Sequence, residues 1–177
     1  SGVVILEREE DAIKRGIPIY GFIKGVGFSC DGFHYSRPSL NTEALEYAIE
    51  KALEDSNFSK DKIDYICLDG AGSVLSDMLE AKALKNVFGK YLKNISLSAP
   101  KSMFGNLLGS QAAVDLIMTL LSMQNDLVLP TINFEEKDPY CDIDCTPNKP
   151  IQRKIEKALI ISRGRGGINV VLGIERR

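Results

Sequence analysis

Apolar positions switch along the chain between a period of two and a period near 3.6, and the switches mark alternating strands and helices. Gly2-Val3-Val4-Ile5-Leu6 is apolar and β-branched, which predicts a strand from the second residue. A domain rarely begins inside a buried strand, so the chain is expected to start midway through a larger protein. Glu9 to Arg15 predicts a short helix ended by Gly16. Residues 18–29 predict a long strand whose Gly21, Gly25 and Gly27 imply bulging or a close backbone neighbour. After a polar connection, Asn41 is placed to cap a helix carrying Ala44, Leu45, Ala48, Ile49, Ala52 and Leu53 at helical spacing.

Residues 63–68 predict a strand, 77–88 a helix stopped by Gly89, and 95–98 another short strand. A loop over 101–109 leads into a long apolar helix through Ser122, and 125–144 reads as mostly irregular. The closing strands, 158–162 and 168–174, are joined by the short turn Arg163-Gly164-Arg165-Gly166-Gly167, so they should pair antiparallel. The alternation gives an α/β layered fold, with a mixed sheet flanked by helices in one domain over residues 1–177.

Hydrophobic residues make up 44% of the chain and charged residues 26%, an ordinary globular balance. With 24 acidic against 22 basic side chains, nothing favours a nucleic-acid surface. No apolar run is long enough to cross a bilayer, and the first residues lack the basic flank and cleavage site of a signal peptide. The expectation is a cytoplasmic protein with no nucleic-acid or membrane partner. Cys141 and Cys145 are spaced C-x3-C, but the single histidine, His34, is far away, so structural thiols are expected rather than a metal site.

Three loops carry more than packing demands. Asp69-Gly70-Ala71-Gly72-Ser73 follows a buried strand, and its spacing matches neither a P-loop nor a dinucleotide fingerprint. Lys101 precedes a glycine turn and a helix that begins with small residues, so it is either a working cation or a solvated flank. Arg163 to Gly167 is the third, with Arg165 open to reading as an exposed hairpin cation. In α/β folds such loops gather at the carboxyl ends of strands.

Together these segments resemble the β-ketoacyl-acyl-carrier-protein synthases, of the thiolase-like superfamily. The resemblance runs over the whole chain, matches the family's C-terminal half, and rests on ordered motifs. Among them are Asp31-Gly32-Phe33-His34, Val87-Phe88-Gly89, Pro100-Lys101-Ser102, Leu129-Pro130-Thr131-Ile132-Asn133 and Gly164-Arg165-Gly166-Gly167-Ile168-Asn169. The family condenses acyl chains through a Cys nucleophile, which it carries in its N-terminal half. Two histidines stabilise the developing oxyanion, a nearby Lys supports the second, and no cofactor is implied.

At the resemblance's decisive positions this chain departs from that pattern. Ala71 stands where the first histidine is expected and Asn106 where the second is, while Lys101 is retained. Arg165 replaces a gating Phe, next to Gly166 and Gly167. His34 matches a histidine outside the catalytic pair. These replacements are similar to those of chain-length factors, the non-condensing partners of type II polyketide ketosynthases. The resemblance therefore implies a non-catalytic subunit. It would pair with a catalytic ketosynthase or an N-terminal half and serve acyl-carrier-protein-dependent chain elongation. A condensing or decarboxylating enzyme with an altered site is the alternative, and a free-standing interaction domain a third. Cys67, inside an apolar strand with no histidine near it in sequence, is a poor nucleophile.

Overall fold

A computed structural model describes all 177 residues, Ser1–Arg177. Its core is a five-stranded mixed sheet built from β1 (Phe22–Cys30), β2 (Tyr65–Cys67), β3 (Ser96–Ser98), β6 (Lys157–Gly164) and β7 (Ile168–Glu175). The spatial order is β1-β7-β6-β2-β3. β6, β2 and β3 are parallel, whereas β7 is antiparallel to both β6 and β1. Two further short strands, β4 (Leu127–Val128) and β5 (Ile151–Gln152), form a separate antiparallel pair.

Helices cover both faces. α2 (Glu43–Ser56) and α3 (Val74–Phe88) enclose the larger apolar cluster, which includes Ile49, Leu84, Phe88 and Leu159. α5 (Gln111–Asn125) encloses a second one on the other face, where Leu116 and Met123 meet Tyr65, Ile160 and Ile174. The short α1 (Glu9–Arg15) begins with three acidic residues, ends with two basic ones, and stops at a left-handed Gly16. That charge order complements the helix dipole and explains why so short a segment is helical.

The glycines predicted to mark close approach do so. Strand β1 shifts register between Ile23 and Gly25. A Cβ on Gly27 would lie 1.8 Å from the Ala48 carbonyl oxygen of α2, so helix and strand are in backbone contact. Gly27→Ala is expected to destabilise the chain by about 2–3 kcal/mol, the upper part of the overpacking range, measurable as a lowered urea midpoint at unchanged slope. An unshifted midpoint would mean that α2 can retreat freely.

Several boundaries differ from expectation: β1 starts at Phe22 rather than at residue 18, and α3 at Val74 rather than Asp77. Residues 2–6 form no strand: they pair with neither of the sheet's open edges, β1 and β3, and Gly2 lies against Ala113 of α5, while Val3, Ile5 and Leu6 are 82%, 87% and 71% exposed. They line an apolar groove of about 1110 Å³ together with Ile19, Leu116, Ile117 and Leu120. The second helix is capped at Thr42 rather than Asn41, with the Thr42 hydroxyl donating to Glu46 one turn on. The segment 101–109 is not all loop: α4 (Lys101–Phe104) makes one turn before Gly105 breaks it. No helix is long and apolar enough to cross a membrane.

Candidate functional site

The parallel strands β2, β3 and β6 all end on one edge of the sheet, and the three loops singled out in the sequence follow those ends. Leu68 and Asp69 continue β2, Ala99-Pro100-Lys101 continues β3, and the arginine-glycine hairpin continues β6. Topology thus brings together groups 94 residues apart, the Asp69 carboxylate and the Arg163 backbone amide, which donates to Asp69 Oδ1 at 3.2 Å.

Asp69 is the hub. Lys101 Nζ lies 2.9 Å from Asp69 Oδ1 and also donates to the Asp69 carbonyl oxygen. The same ammonium is 3.8 Å from Asp115 Oδ2. Lys101, only 7% exposed, is therefore a buried cation between two buried carboxylates, not a solvated flank. Gln111 Nε2 donates to Asp115 Oδ1 at 2.7 Å, while Asp115 Oδ2 has no hydrogen-bond partner. Burial pushes the Asp115 carboxyl above its ordinary value, against the pull of Lys101.

Behind Asp69, Glu80 reaches across from α3 and accepts the amides of Asp69 and Gly70 at 2.7 and 3.0 Å. Its carboxyl is pushed up to about 7, first by burial and then by the charge of Asp69. The two amides, followed by Arg163, oppose the shift. Gly70 has a left-handed φ of 46°, and a Cβ there would come 2.5 Å from that of Ala99, so the turn is made for glycine.

In front of Asp69 lies a cavity of about 190 Å³ with several charged residues in its lining. Ala71, Arg165, Gly166 and Gly167 all line it, and so do Arg37 and Arg163. Arg165 is exposed, whereas the bracing hydrogen bonds come from Arg163. Its Nε donates to Asn169 Oδ1 at 3.2 Å and its Nη1 to the Ser76 carbonyl at 3.1 Å. Gly166 and Gly167 have φ of 83° and 81°, and a Cβ on Gly167 would come 2.6 Å from Asp31 Cβ. Asn106 is not brought to this cavity. It is exposed, and its Oδ1 accepts the Leu108 amide at 2.9 Å, supporting a turn in which Leu108 itself has a positive φ.

His34 likewise serves a turn, its Nδ1 accepting the Ser36 amide at 3.1 Å. The Cys67 thiol is fully buried and pushed well above its ordinary value, first by desolvation and then by Asp115, which suppresses the thiolate needed for nucleophilic attack. Burial also pushes the Cys141 thiol up, to about 11.

Residues 20–135 match the family described as Beta-ketoacyl synthase, C-terminal domain. The chain belongs to the beta-ketoacyl synthase family. It is 36% identical over 176 residues to 3-oxoacyl-[acyl-carrier-protein] synthase 2 of Synechocystis, covering 99% of this chain and 42% of that protein. It is 35% identical to nodulation protein E of Rhizobium meliloti over 99% of this chain and 43% of that protein. The chain thus spans about two fifths of the length of these relatives.

Solved ketosynthases share the fold. A type II PKS acyl-carrier protein complexed with its ketosynthase bound to the hexaketide superimposes with a TM-score of 0.93 at 30% identity, over 97% of this chain and 42% of that one. The ishigamide ketosynthase/chain length factor gives 0.90 at 31% identity, over 96% and 41%. The thiolase-like layered fold read from the sequence is the observed one.

Proposed function

We propose that this ketosynthase domain is a non-catalytic, chain-length-factor-like partner in acyl-carrier-protein-dependent chain elongation. In this reading Ala71 and Asn106 occupy vacated histidine positions. The observation that carries it is the state of Lys101 and its surroundings. The one cation retained from the expected machinery is held between Asp69 and Asp115, and the methyl of Ala71 offers no donor to a thioester oxygen. Asn106, exposed and tied to its own turn, supplies none at the cavity either. The fold is kept while the proton donors are gone, which favours pairing with a catalytic ketosynthase over independent turnover.

The synthase 2 relatives favour a second reading, a condensing enzyme with an altered site whose nucleophile lies outside these residues. Malonyl- and acyl-carrier substrates discriminate the two. Removing one oxyanion donor costs about 10²–10³ in rate, so without either histidine the protein alone should form no condensation product above background. Mixed with its catalytic ketosynthase, it should restore elongation. Product formed by the protein alone would establish the enzyme reading instead.

A further inference from the structure

The cavity beside Ala71 is lined mostly by polar, charged and glycine residues, and its charges do not cancel. Two carboxylates reach it, Asp31 and Asp69. Asp69 is matched by the Lys101 ammonium at 2.9 Å. Asp31 is engaged by neutral donors only, the Ser39 amide at 3.1 Å and Asn169 Nδ2 at 2.9 Å. Against them stand three guanidinium groups, on Arg37, Arg163 and Arg165. None of the three forms an ion pair; the arginine pairs of this chain join Arg8 to Asp11, Arg15 to Glu7 and Arg176 to Asp126. Arg163 uses its Nε and one Nη1 hydrogen on Asn169 and Ser76, which leaves donors to spare.

We infer that this cavity is a binding site for a small oxyanion, a carboxylate or a phosphate, held between Arg37, Arg163 and Arg165. The guanidinium fork matches both anions in bidentate geometry. At about 30 Å³ per water, a volume of about 190 Å³ holds about six waters, enough for a phosphate or a short dicarboxylate and too little for a long acyl chain. The absence of a side chain beyond Cβ at Ala71 keeps that space open. Arg163, fixed by its two hydrogen bonds, forms the rigid part of the receptor, whereas Arg37 and Arg165 are exposed and free to close on the ligand. The inference holds whether or not the protein condenses substrates, because it concerns binding alone.

Calorimetric titration of the full chain with sodium malonate, with inorganic phosphate and with neutral malonamide tests it. At least one of the two anions should bind saturably with a dissociation constant below about 10 mM, and malonamide should not. Tighter malonate binding would point to an acid as the natural ligand, tighter phosphate binding to a phosphoryl ester. Arg165→Gln and Arg37→Gln should each weaken the binding at least about tenfold, since each removes charge-assisted hydrogen bonds. Both side chains lack protein partners, so the melting temperature should not move. Arg8→Gln, remote from the cavity, should bind as the parent does. No saturable anion binding, equal binding of malonamide, or binding untouched by both cavity substitutions would overturn the site.

Discussion

Lys101→Met is expected to lower the stability of the chain by about 3–5 kcal/mol, because it leaves buried carboxylates without their counter-charge. Asp69 would keep the Arg163 amide, but Asp115 Oδ2 has no hydrogen bond and only Lys101 beside it. For a chain of this size each kcal/mol moves the melting temperature by about 2–4 °C, so calorimetry should register a drop of about 6–20 °C. The double substitution Lys101→Met with Asp115→Leu should recover part of that loss, since it removes a buried charge along with its partner. A lysine acting as a solvated flank would cost less than about 1 kcal/mol, and a shift that small would refute the buried arrangement.

The architecture was legible wherever hydrophobic periodicity and turn chemistry agreed. The β6–β7 hairpin, with two strand-like runs across a glycine turn, needed nothing beyond local sequence. The Lys101 loop did not read as well. Its lysine sits next to Pro100 and Ser102, and nothing local reveals that Asp69, 32 residues earlier, will bury it. That fact comes from the parallel pairing of β2 with β3, a non-local property of the sheet.

Other buried groups of the site leave traces in the sequence. On α3, Glu80 stands in helical register with Ala83, Leu84 and Val87, all buried, so a carboxylate on an apolar face already called for a partner. On α5, Gln111, Asp115, Thr119 and Ser122 repeat at three- and four-residue spacing and are all buried, a polar stripe inside an apolar helix. Arg163 gave no comparable sign, because its neighbour Arg165 looks equivalent in sequence. Only the end of β6 at Gly164 separates them: Arg163 lies inside the strand and is braced against Asn169 of β7, whereas Arg165 lies in the turn beyond it. The first residues show the opposite case. A β-branched run has strand propensity, but a strand forms only where it pairs with another, and residues 2–6 pair with neither open edge of the sheet.

Glu80 gives the chain a pH dependence of unusual sign. A carboxyl raised from an ordinary 4.5 to about 7 in the folded state holds its proton there after the unfolded chain has released it. Between these values the native state binds more protons than the unfolded one, so stability falls as pH rises through that window. Below pH 4.5 both states are protonated and the group is neutral to stability; above about 7 both are ionised and the full cost is present. That cost is about 3 kcal/mol. Across this range the stability difference between the parent and Glu80→Gln, read from urea unfolding, should therefore change by about that amount, with the parent losing more as pH rises. The glutamine places an amide hydrogen against one of the Asp69 and Gly70 amides, which adds a cost that does not vary with pH. The difference in slope is what reports the carboxyl. Asp115, also raised by burial, titrates in both proteins and cancels from that difference. Parallel profiles would show that Glu80 is ionised throughout, anchored by the two amides against its burial.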